Sequence, residues 1–487
     1  MGSVIEFSEE NIQKLFGHEA AEDEDPQRLR EYYFKSNIYT QAIADLPLRI
    51  VVGHKGIGKS ALFKIAMAED KDKDKISVMV QPNDITHLAT ENQDFLQTIR
   101  DWTEGLSEII VQKVLQSFGY SKSSLVLRDF ENYIYSENGI TNFIVEYLRN
   151  NTDNQTLDKF QISKYLKSFK VTIYIDDLDR GWQGIKGDVL RMSALLNAVR
   201  DISNDNRSLA FKVALRSDVY YLVRTSDEST DKIEGSVIWH SWTNHEIFVM
   251  LIKRIETFLG RHIDEEKLLK ARPPQLAHYL DPILEPKFSG RGHWEKAPIY
   301  RVLMSLIRKR PRDLVKLCTL AARRSYTRKS NVIQTQDFEA VFEEYSQGRI
   351  QDTINEFKSE LPLIEALLMN MKPNKREREA KLGYVYNTAG LLVKLENISQ
   401  LQNFRFSNGE KALPKDLAAF LFKINFLTAR KETSDGIIRK YFEENRYLSS
   451  NISDFGFDWE VHPAYRWALQ PDRTNEVYRE LKLSSDE

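Results

Sequence analysis

Short apolar runs alternate with longer amphipathic stretches in the first half of the chain. Five of the runs are rich in β-branched residues and predict strands, at residues 48–52, 76–80, 171–175, 209–215 and 236–239. Between them, apolar residues recur at steps of three and four, which is the spacing of one helix face. Strands that alternate with helices in this way predict a parallel α/β sheet.

The helical pattern is longest between the second and third predicted strands and in the second half of the chain. Residues from about 92 to 169 predict a helical insertion. From about residue 244 the pattern is again helical, interrupted by a proline-rich loop at 272–298. A third region begins near residue 350 with two further apolar helix faces.

Composition and charge exclude several classes of protein. The 487 residues carry 69 Lys and Arg against 71 Asp and Glu, a formal net charge of -2, so no global field attracts nucleic acid or a membrane surface. Cys318 is the one cysteine, which excludes an internal disulfide and a cysteine-based zinc site, and we expect it in the core. No apolar run approaches the roughly 20 residues that span a bilayer. We therefore expect a cytoplasmic protein without membrane contact.

The first predicted strand runs directly into a phosphate-binding motif, G-x-x-x-x-G-K-S at residues 53–60. Its glycines let backbone amides surround phosphate oxygens, and its lysine neutralises the β and γ charges. The helix predicted at 61–68 would point its positive end at the anion. The motif predicts ATP as the bound nucleotide. The residues assigned to binding it are Gly53, His54, Lys55, Gly56, Ile57, Gly58, Lys59 and Ser60.

The third predicted strand ends in the acidic sequence Asp-Asp-Leu-Asp-Arg. A strand that delivers Asp176 to its carboxyl end predicts a Mg²⁺ site made by this aspartate together with Ser60. Asp177 is placed to orient or activate the attacking water, and an aspartate at this position predicts slow hydrolysis. Asp179 and Arg180 either serve the nucleotide or form a surface ion pair.

Three arginines outside these motifs are candidates for contact with the nucleotide. Arg216 follows the next strand, at the sheet edge where open α/β sheets bind ligands, and either contacts the γ-phosphate or pairs with Asp218. Arg224 follows a short predicted helix and would act across a subunit boundary as an arginine finger. Arg312 lies next to Pro311 at the start of a predicted helix.

The sequence Arg310-Pro311-Arg312 resembles the sensor-2 element of AAA+ ATPases of the origin-recognition and STAND type. The resemblance implies that Arg312, carried on a lid domain, returns to the nucleotide. Together with Leu15-Phe16-Gly17, the phosphate loop and the Asp-Asp-Leu-Asp sequence, it makes residues 12–350 similar to bacterial STAND and KAP-like P-loop ATPases, many of which belong to antiphage defence and stress systems. The long insertion and the missing Asp-Glu pair depart from initiator proteins.

These observations predict an α/β P-loop NTPase fold with a helical insertion, an α-helical lid and a C-terminal winged-helix-like domain. The predicted divisions are an N-terminal helical segment at 1–45, the ATPase core at 46–243, the lid at 244–349 and the winged-helix-like domain at 350–487.

We expect a Mg²⁺-dependent ATPase that acts as a conformational and assembly switch. It would be a homo-oligomer working with a separate effector protein, because the sequence contains no effector chemistry of its own. The alternative is a DNA-binding AAA+ ATPase of the initiator or loader type, because ten Lys and Arg residues lie between Arg301 and Ser330. A solvated lid helix also explains those charges, and the acidic residues at 19–25 predict a solvated face. A small-molecule kinase is disfavoured, since it would have no use for the lid arginine.

Overall fold

The computed structural model describes residues 5–85, 88, 94–120, 128–151, 159–226, 228–379, 383–450 and 456–485. Its contacts divide the chain into two compact units. The sheet unit comprises Lys35–Lys55 and Lys59–His240, and the helical unit comprises Met1–Phe34, Gly56–Gly58 and Ser241–Glu487. None of the described helices combines the length and hydrophobicity that crossing a bilayer requires.

The sheet unit is built on five parallel strands in the spatial order β2-β3-β4-β1-β5. Strands buried on both faces need continuous apolar runs, and this is the pattern from which the five strands were predicted. The fold class is confirmed, and the last strand starts one residue later than predicted. The strands are β1 (Leu48–Val52), β2 (Ile76–Val80), β3 (Val171–Ile175), β4 (Leu209–Leu215) and β5 (Val237–Trp239).

Helices connect the strands of this sheet, because parallel neighbours need a long crossover connection, usually a helix. Three of them, α6 to α8, lie between β2 and β3 in the stretch predicted as a helical insertion. The longest, α6, packs along α9 through buried Trp102, Leu106 and Ile110. The helices are α3 (Asn37–Ile43), α4 (Lys59–Asp72), α5 (Pro82–Ile85), α6 (Phe95–Ser117), α7 (Gly139–Asn150), α8 (Lys159–Ser168), α9 (Lys186–Asp205) and α10 (Ser217–Ser226).

The helical unit includes the N-terminal helices α1 (Glu9–Phe16) and α2 (Pro26–Tyr32). In the sequence, Leu29, Tyr32, Tyr33 and Phe34 predict a helix that docks on the nucleotide-binding domain. In the structure, α2 contacts α11 of the helical unit, and α1 contacts both α11 and α15. The remaining elements of this part are α11 (Asn244–Phe258), α12 (Glu265–Lys270), α13 (Pro273–Leu276), β6 (Lys287–Phe288), β7 (Ala297–Pro298), α14 (Ile299–Leu306), α15 (Pro311–Thr327), α16 (Thr335–Glu339) and α17 (Phe342–Phe357). Cys318 on α15 is buried, as predicted.

The C-terminal part of the helical unit holds a four-stranded antiparallel sheet in the order β10-β9-β11-β8. The sequence predicts helices and a wing strand at residues 426–429 for a winged-helix-like domain. That segment overlaps β9, which pairs with β10 on one side and with β11 on the other. The elements are α18 (Ile364–Asn370), α19 (Lys375–Glu379), β8 (Val385–Tyr386), α20 (Thr388–Leu401), α21 (Pro414–Lys423), β9 (Leu427–Thr433), β10 (Gly436–Lys440), α22 (Tyr447–Ser450), β11 (Asp458–Val461), α23 (Arg466–Leu469) and α24 (Thr474–Glu480).

Two clusters of buried ion pairs hold this unit together. The Asp313 carboxylate accepts hydrogen bonds from Arg308 at 2.7 and 2.9 Å and from Arg349 at 2.7 Å, and all three side chains are at most 3% exposed. Glu460 on β11 accepts a hydrogen bond of 2.8 Å from Arg439 and also bonds Arg466. Charges this deep are tolerated only when they are paired, so both clusters are part of the core.

Candidate nucleotide-binding site

The phosphate loop leaves β1 at Gly53, whose N–H donates to the Leu215 carbonyl at 3.1 Å, and it ends where α4 begins at Lys59. Gly56 and Gly58 have φ angles of 80° and 107°, in the region that only glycine adopts readily. A Cβ atom at Gly58 would meet no atom within 4 Å. The backbone conformation, rather than crowding, therefore requires glycine at this position.

Lys59 lies over the carbonyl groups of its own loop. Its Nζ donates to the Gly53 carbonyl at 2.6 Å and to the His54 carbonyl at 3.2 Å. Neutral carbonyl acceptors satisfy an ammonium group less strongly than charged oxygens do. Phosphate oxygens entering the loop would be the stronger partners for this charge.

The other loop side chains have different environments. His54 is fully buried, with its Nδ1 3.0 Å from the Ser217 hydroxyl, so its imidazole fixes the loop to the start of α10. Lys55 is exposed. Ile57 belongs to the core of the helical unit, and its carbonyl accepts a hydrogen bond from Trp242 Nε1 at 2.8 Å. All three residues contribute backbone to the loop. The side chains of His54 and Ile57 pack within the protein, and that of Lys55 is exposed.

The Asp176 carboxylate and the Ser60 hydroxyl are brought together by the sheet. Asp176 follows β3, where its N–H donates to the Val80 carbonyl at 3.2 Å, and Ser60 lies in the first turn of α4. Burial raises the pKa of Asp176, while the hydrogen bond from Ser60 and the charge of Lys59 lower it. The predicted pair of magnesium ligands is thus adjacent.

A hydroxyl and one carboxylate fit Mg²⁺, which binds oxygen and usually takes only one or two carboxylates from the protein. Among the described residues, no group of three or more His, Cys, Asp or Glu side chains is placed to hold a metal by itself. A Mg²⁺ ion at Ser60 and Asp176 would therefore complete its coordination with phosphate and water oxygens.

Asp177 is occupied by a neighbour on the same turn. Its φ is 59°, an unusual conformation for a residue with a side chain, and its carboxylate bonds Arg180 at 2.6 and 2.9 Å. The sequence left open a surface pair between Asp179 and Arg180, but the pair that forms is Asp177 with Arg180. Water activation by Asp177 would need this contact to loosen.

Arg216 is held between two buried acids at the same sheet edge. It donates to Asp218 at 2.6 and 3.1 Å and lies 3.3 Å from Asp179. Burial raises the pKa of Asp179 to about 6, against the opposing effect of the Arg216 charge. Of the two alternatives from the sequence, the pairing with Asp218 is present here. The further contact with Asp179 was not predicted.

His240 is a member of the site that the sequence analysis missed. It follows β5, its N–H donates to the Val52 carbonyl at 2.7 Å, and it is fully buried. Burial and then the nearby charge of Lys59 lower the pKa of His240 to about 3, so the imidazole is neutral beside that lysine. Its position just after a predicted strand was the available signal, because parallel strands end at one edge.

Arg224 forms ion pairs within the sheet unit. Its guanidinium lies 2.7 Å from Asp231 and 3.1 Å from Glu234 on the segment that follows α10, and about a third of the side chain is exposed. Both ion pairs are exposed and therefore weak, so they would not prevent Arg224 from contacting another subunit. The arginine-finger role stays a prediction.

Arg312 lies against the tip of the phosphate loop. A Cβ atom at Gly56 would be 3.1 Å from Arg312 Cδ, and the Arg312 Nε donates to the Glu19 carbonyl at 3.0 Å. This contact between Arg312 and Gly56 agrees with the prediction that Arg312 approaches the nucleotide. The predicted roles of all these side chains in binding or catalysis remain predictions.

Most of the basic residues between 301 and 330 have acceptors within the helical unit, and four of them, at positions 323, 324, 328 and 329, are also exposed to solvent. Arg323, for example, makes two bonds to Glu9, at 2.8 and 2.9 Å. Eight of the ten donate to or pair with acceptors of this unit: Arg301, Arg308, Lys309, Arg310, Arg312, Lys316, Arg323 and Arg328. The acidic face predicted as solvated is wrong at Glu24, which is buried and accepts from the Tyr32 hydroxyl, whereas Glu19 is exposed while it bonds Lys316.

The strand order and the glycine loop decide the fold. This is a P-loop NTPase fold. Residues 281–354 match the family model described as the FunZ-associated C-terminal helical domain. That segment runs to α17 and carries Arg312, but it is a small part of the chain, so the match describes the segment alone. No curated protein matches the chain.

Solved structures similar to this chain include two archaeal proteins of comparable length. The Walker-type ATPase PABY2304 of Pyrococcus abyssi shares 11% identity over 85% of this chain and 95% of its own, with a TM-score of 0.41. The Aeropyrum pernix ORC2 protein, in ADPNP–ADP complexes, shares 11% identity over 93% and 92%, with a TM-score of 0.42. Likeness at this level establishes neither an activity nor a partner here.

Proposed function

We propose that the protein is a Mg²⁺-dependent ATPase of the AAA+ type that uses the state of its nucleotide as a conformational switch. The observation that carries the proposal is that the sheet brings Ser60, in the first turn of α4 after the phosphate loop, next to Asp176, which follows β3 and whose N–H donates to the Val80 carbonyl at 3.2 Å. The phosphate loop and the acidic sequence after β3, the two motifs that such an enzyme needs, thus meet at the sheet edge where Lys59 also lies. Bound Mg²⁺ would neutralise charge on the phosphates.

The roles of the chain's own residues follow from their present contacts. Lys59 would exchange the Gly53 and His54 carbonyls for phosphate oxygens. Arg216 would leave Asp218 for the γ-phosphate, and Asp177 would orient water once freed from Arg180. Each step first breaks an existing ion pair or hydrogen bond, which supports slow hydrolysis as the sequence predicts.

The decisive test is nucleotide affinity in Lys59→Ala, measured by calorimetry with ATP and Mg²⁺. We expect affinity to fall by about 10- to 150-fold, because a charge-assisted hydrogen bond to phosphate, worth roughly 1.5–3 kcal/mol, is lost together with the lysine charge. Lys71→Ala is the matched control, since Lys71 is exposed at the far end of the same helix. A wild-type affinity in Lys59→Ala would overturn the assignment.

For the biological role we propose ATP-dependent assembly of a homo-oligomer that works with a separate effector, in antiphage defence or stress signalling. The resemblance of residues 12–350 to STAND and KAP-like ATPases supports it. Light scattering of wild type and Asp177→Asn with ATP, with and without duplex DNA, tests it. Assembly that needs ATP but no DNA supports signalling, whereas assembly only on DNA supports a loader.

The DNA-binding alternative is less well supported. In a winged-helix-like domain α21 would be the recognition helix, yet from Leu417 to Lys423 every residue except Ala419 is buried. A buried helix face cannot enter a major groove. The basic residues near α15 are likewise engaged within the protein. ATP hydrolysis stimulated by DNA, with a steep salt dependence, would restore this alternative.

A further inference from the structure

The turn between α1 and α2 is built into one fixed conformation. We call Gly17–Asp25 the N-terminal strap. At its start Gly17 has a φ of 75°, and a Cβ there would lie 2.6 Å from Tyr32 Oη and 3.0 Å from Arg254 Nη1. No other residue would fit this position without displacing those groups. The strap therefore begins at a defined angle against α2 and α11.

Glu24 closes the strap from its far end. Its buried carboxylate accepts a hydrogen bond of 2.8 Å from the His18 N–H and one of 2.6 Å from the Tyr32 hydroxyl. A side chain that bonds back across six residues fixes the backbone between them, as a capping residue fixes a helix end. The carbonyl of Glu19 lies inside this closed turn, so its direction is set by the strap.

One face of α15 is bonded to the strap and to α1. Arg312, Lys316 and Arg323 are four and seven residues apart, a spacing that puts them on the same helix face. The Glu19 carboxylate accepts from Lys316 at 2.8 Å, and its carbonyl accepts from Arg312 Nε at 3.0 Å. A single residue of the strap thus bonds two successive turns of the helix.

The bond at Nε leaves the rest of the Arg312 guanidinium for a ligand. In the described part of the chain, the bond to the Glu19 carbonyl is the one hydrogen bond that Arg312 makes. A guanidinium anchored at Nε has its plane fixed, and both terminal nitrogens can still donate to a phosphate. The stem of the same side chain lies against Gly56 of the phosphate loop.

We infer that the N-terminal strap positions Arg312 for the γ-phosphate, and that Glu19 is the positioning residue. The inference rests on the proposed function, since it explains how the arginine is prepared for its ligand. ADP has no γ-phosphate, so the strap sets the preference for the triphosphate over the diphosphate. A loosened strap lowers that preference while ADP affinity stays the same.

The experiment compares ADP with a slowly hydrolysed ATP analogue by calorimetry in four proteins: wild type, Glu19→Lys, Lys316→Glu and the double variant with the charges exchanged. Each single variant should lose about fivefold of its preference for the triphosphate, because an exposed ion pair is worth up to roughly 1 kcal/mol. The double variant restores the pair and should regain the preference to within about twofold.

Glu10→Lys is the matched control, because it breaks the exposed pair of Glu10 with Lys14, which lies within α1 and includes no residue of the strap or of α15. It should leave the preference for the triphosphate unchanged.

Arg312→Ala separates the inference from the proposed function. If Arg312→Ala lowers the preference but Glu19→Lys does not, the inference is wrong and the sensor role stands. If Arg312→Ala has no effect, both are wrong, and loss in the single variants without recovery in the double variant also overturns the positioning role.

Discussion

The two units differ in how completely they satisfy their charged groups. At the sheet edge of the sheet unit, Lys59 bonds neutral carbonyls and Asp177 pairs with Arg180 while half exposed. In the helical unit, Asp313 lies between two arginines with almost no solvent contact. The first arrangement exchanges partners at low cost and the second does not. Weak resting contacts thus mark Lys59 and Asp177 as charges ready for a ligand, whereas Arg216 at the same edge is already bonded to buried Asp218.

The largest effect on stability should come from the helical unit. Asp313→Ala leaves the buried Arg308 guanidinium without a carboxylate and Arg349 with only the exposed Asp352, which costs about 3–5 kcal/mol. Denaturant unfolding at neutral pH measures the loss. Glu476→Ala, which removes the exposed partner of Arg473, is the control and should stay within about 0.5 kcal/mol. If both variants lost the same free energy of unfolding, the proposed difference between buried and exposed ion pairs would be wrong.

The second effect is a pH dependence carried by Glu460. Burial alone would raise its pKa, but Arg439 and Arg466 hold the pKa at about 2. Because the folded pKa is below the unfolded one, the stabilisation is complete above about pH 4.5 and is lost as the pH falls towards 2. The loss amounts to about 3 kcal/mol.

The test compares the free energy of unfolding of wild type with that of Glu460→Gln across this pH range. Glutamine cannot titrate, so the advantage of the wild type should shrink as the solution becomes acidic. An advantage that is constant with pH would show that Glu460 keeps an ordinary pKa.

Arg216 should give a smaller effect, because one of its two carboxylate partners, Asp179, can change protonation state, although Asp218 loses its two hydrogen bonds. In Arg216→Ala, Asp179 can bind a proton, since burial has already raised its pKa to about 6. We expect a loss of about 1–2 kcal/mol at pH 8 and less at pH 5.5, together with slower ATP hydrolysis. A loss that grows towards acidic pH would contradict this account.

The smallest change in stability is expected for Arg180→Ala. The pair with Asp177 is exposed, so unfolding should shift by less than about 0.5 kcal/mol. The rate of ATP hydrolysis, measured as free phosphate, should rise, because the Asp177 carboxylate is no longer paired with Arg180 and can orient water directly. A fall in the rate would instead assign Arg180 a supporting role in catalysis.

The sequence predicted the sheet well because its signal is local. Each strand is a continuous apolar run, and the glycines of the loop are needed by the backbone of the loop itself. The sequence His462-Pro463 favours a core or capping histidine over a ligand, and in the structure His462 is fully buried, with its Nδ1 accepting from the Ala464 N–H at 3.1 Å. Predictions of this kind depend on residues within one or two turns of each other.

Pairings between distant residues could not be predicted in the same way. Arg308 and Arg349 meet at Asp313 although they are 41 positions apart in the sequence, and Lys316 meets Glu19 across most of the chain. Counting charges along the sequence identifies the arginines and lysines near α15 but does not identify the residues that they bond. The pair of Asp177 with Arg180, three residues apart on a turn, was within reach of a local argument and was missed.

The hydrogen bond from Trp242 to the Ile57 carbonyl gives the protein an optical reporter of its own. The indole is buried, and its N–H bonds the backbone of the loop that would close around phosphate. Indole emission depends on the polarity and hydrogen bonding around the ring. A change in fluorescence on adding nucleotide, absent from Trp242→Phe, would let loop closure be followed in real time without any added label.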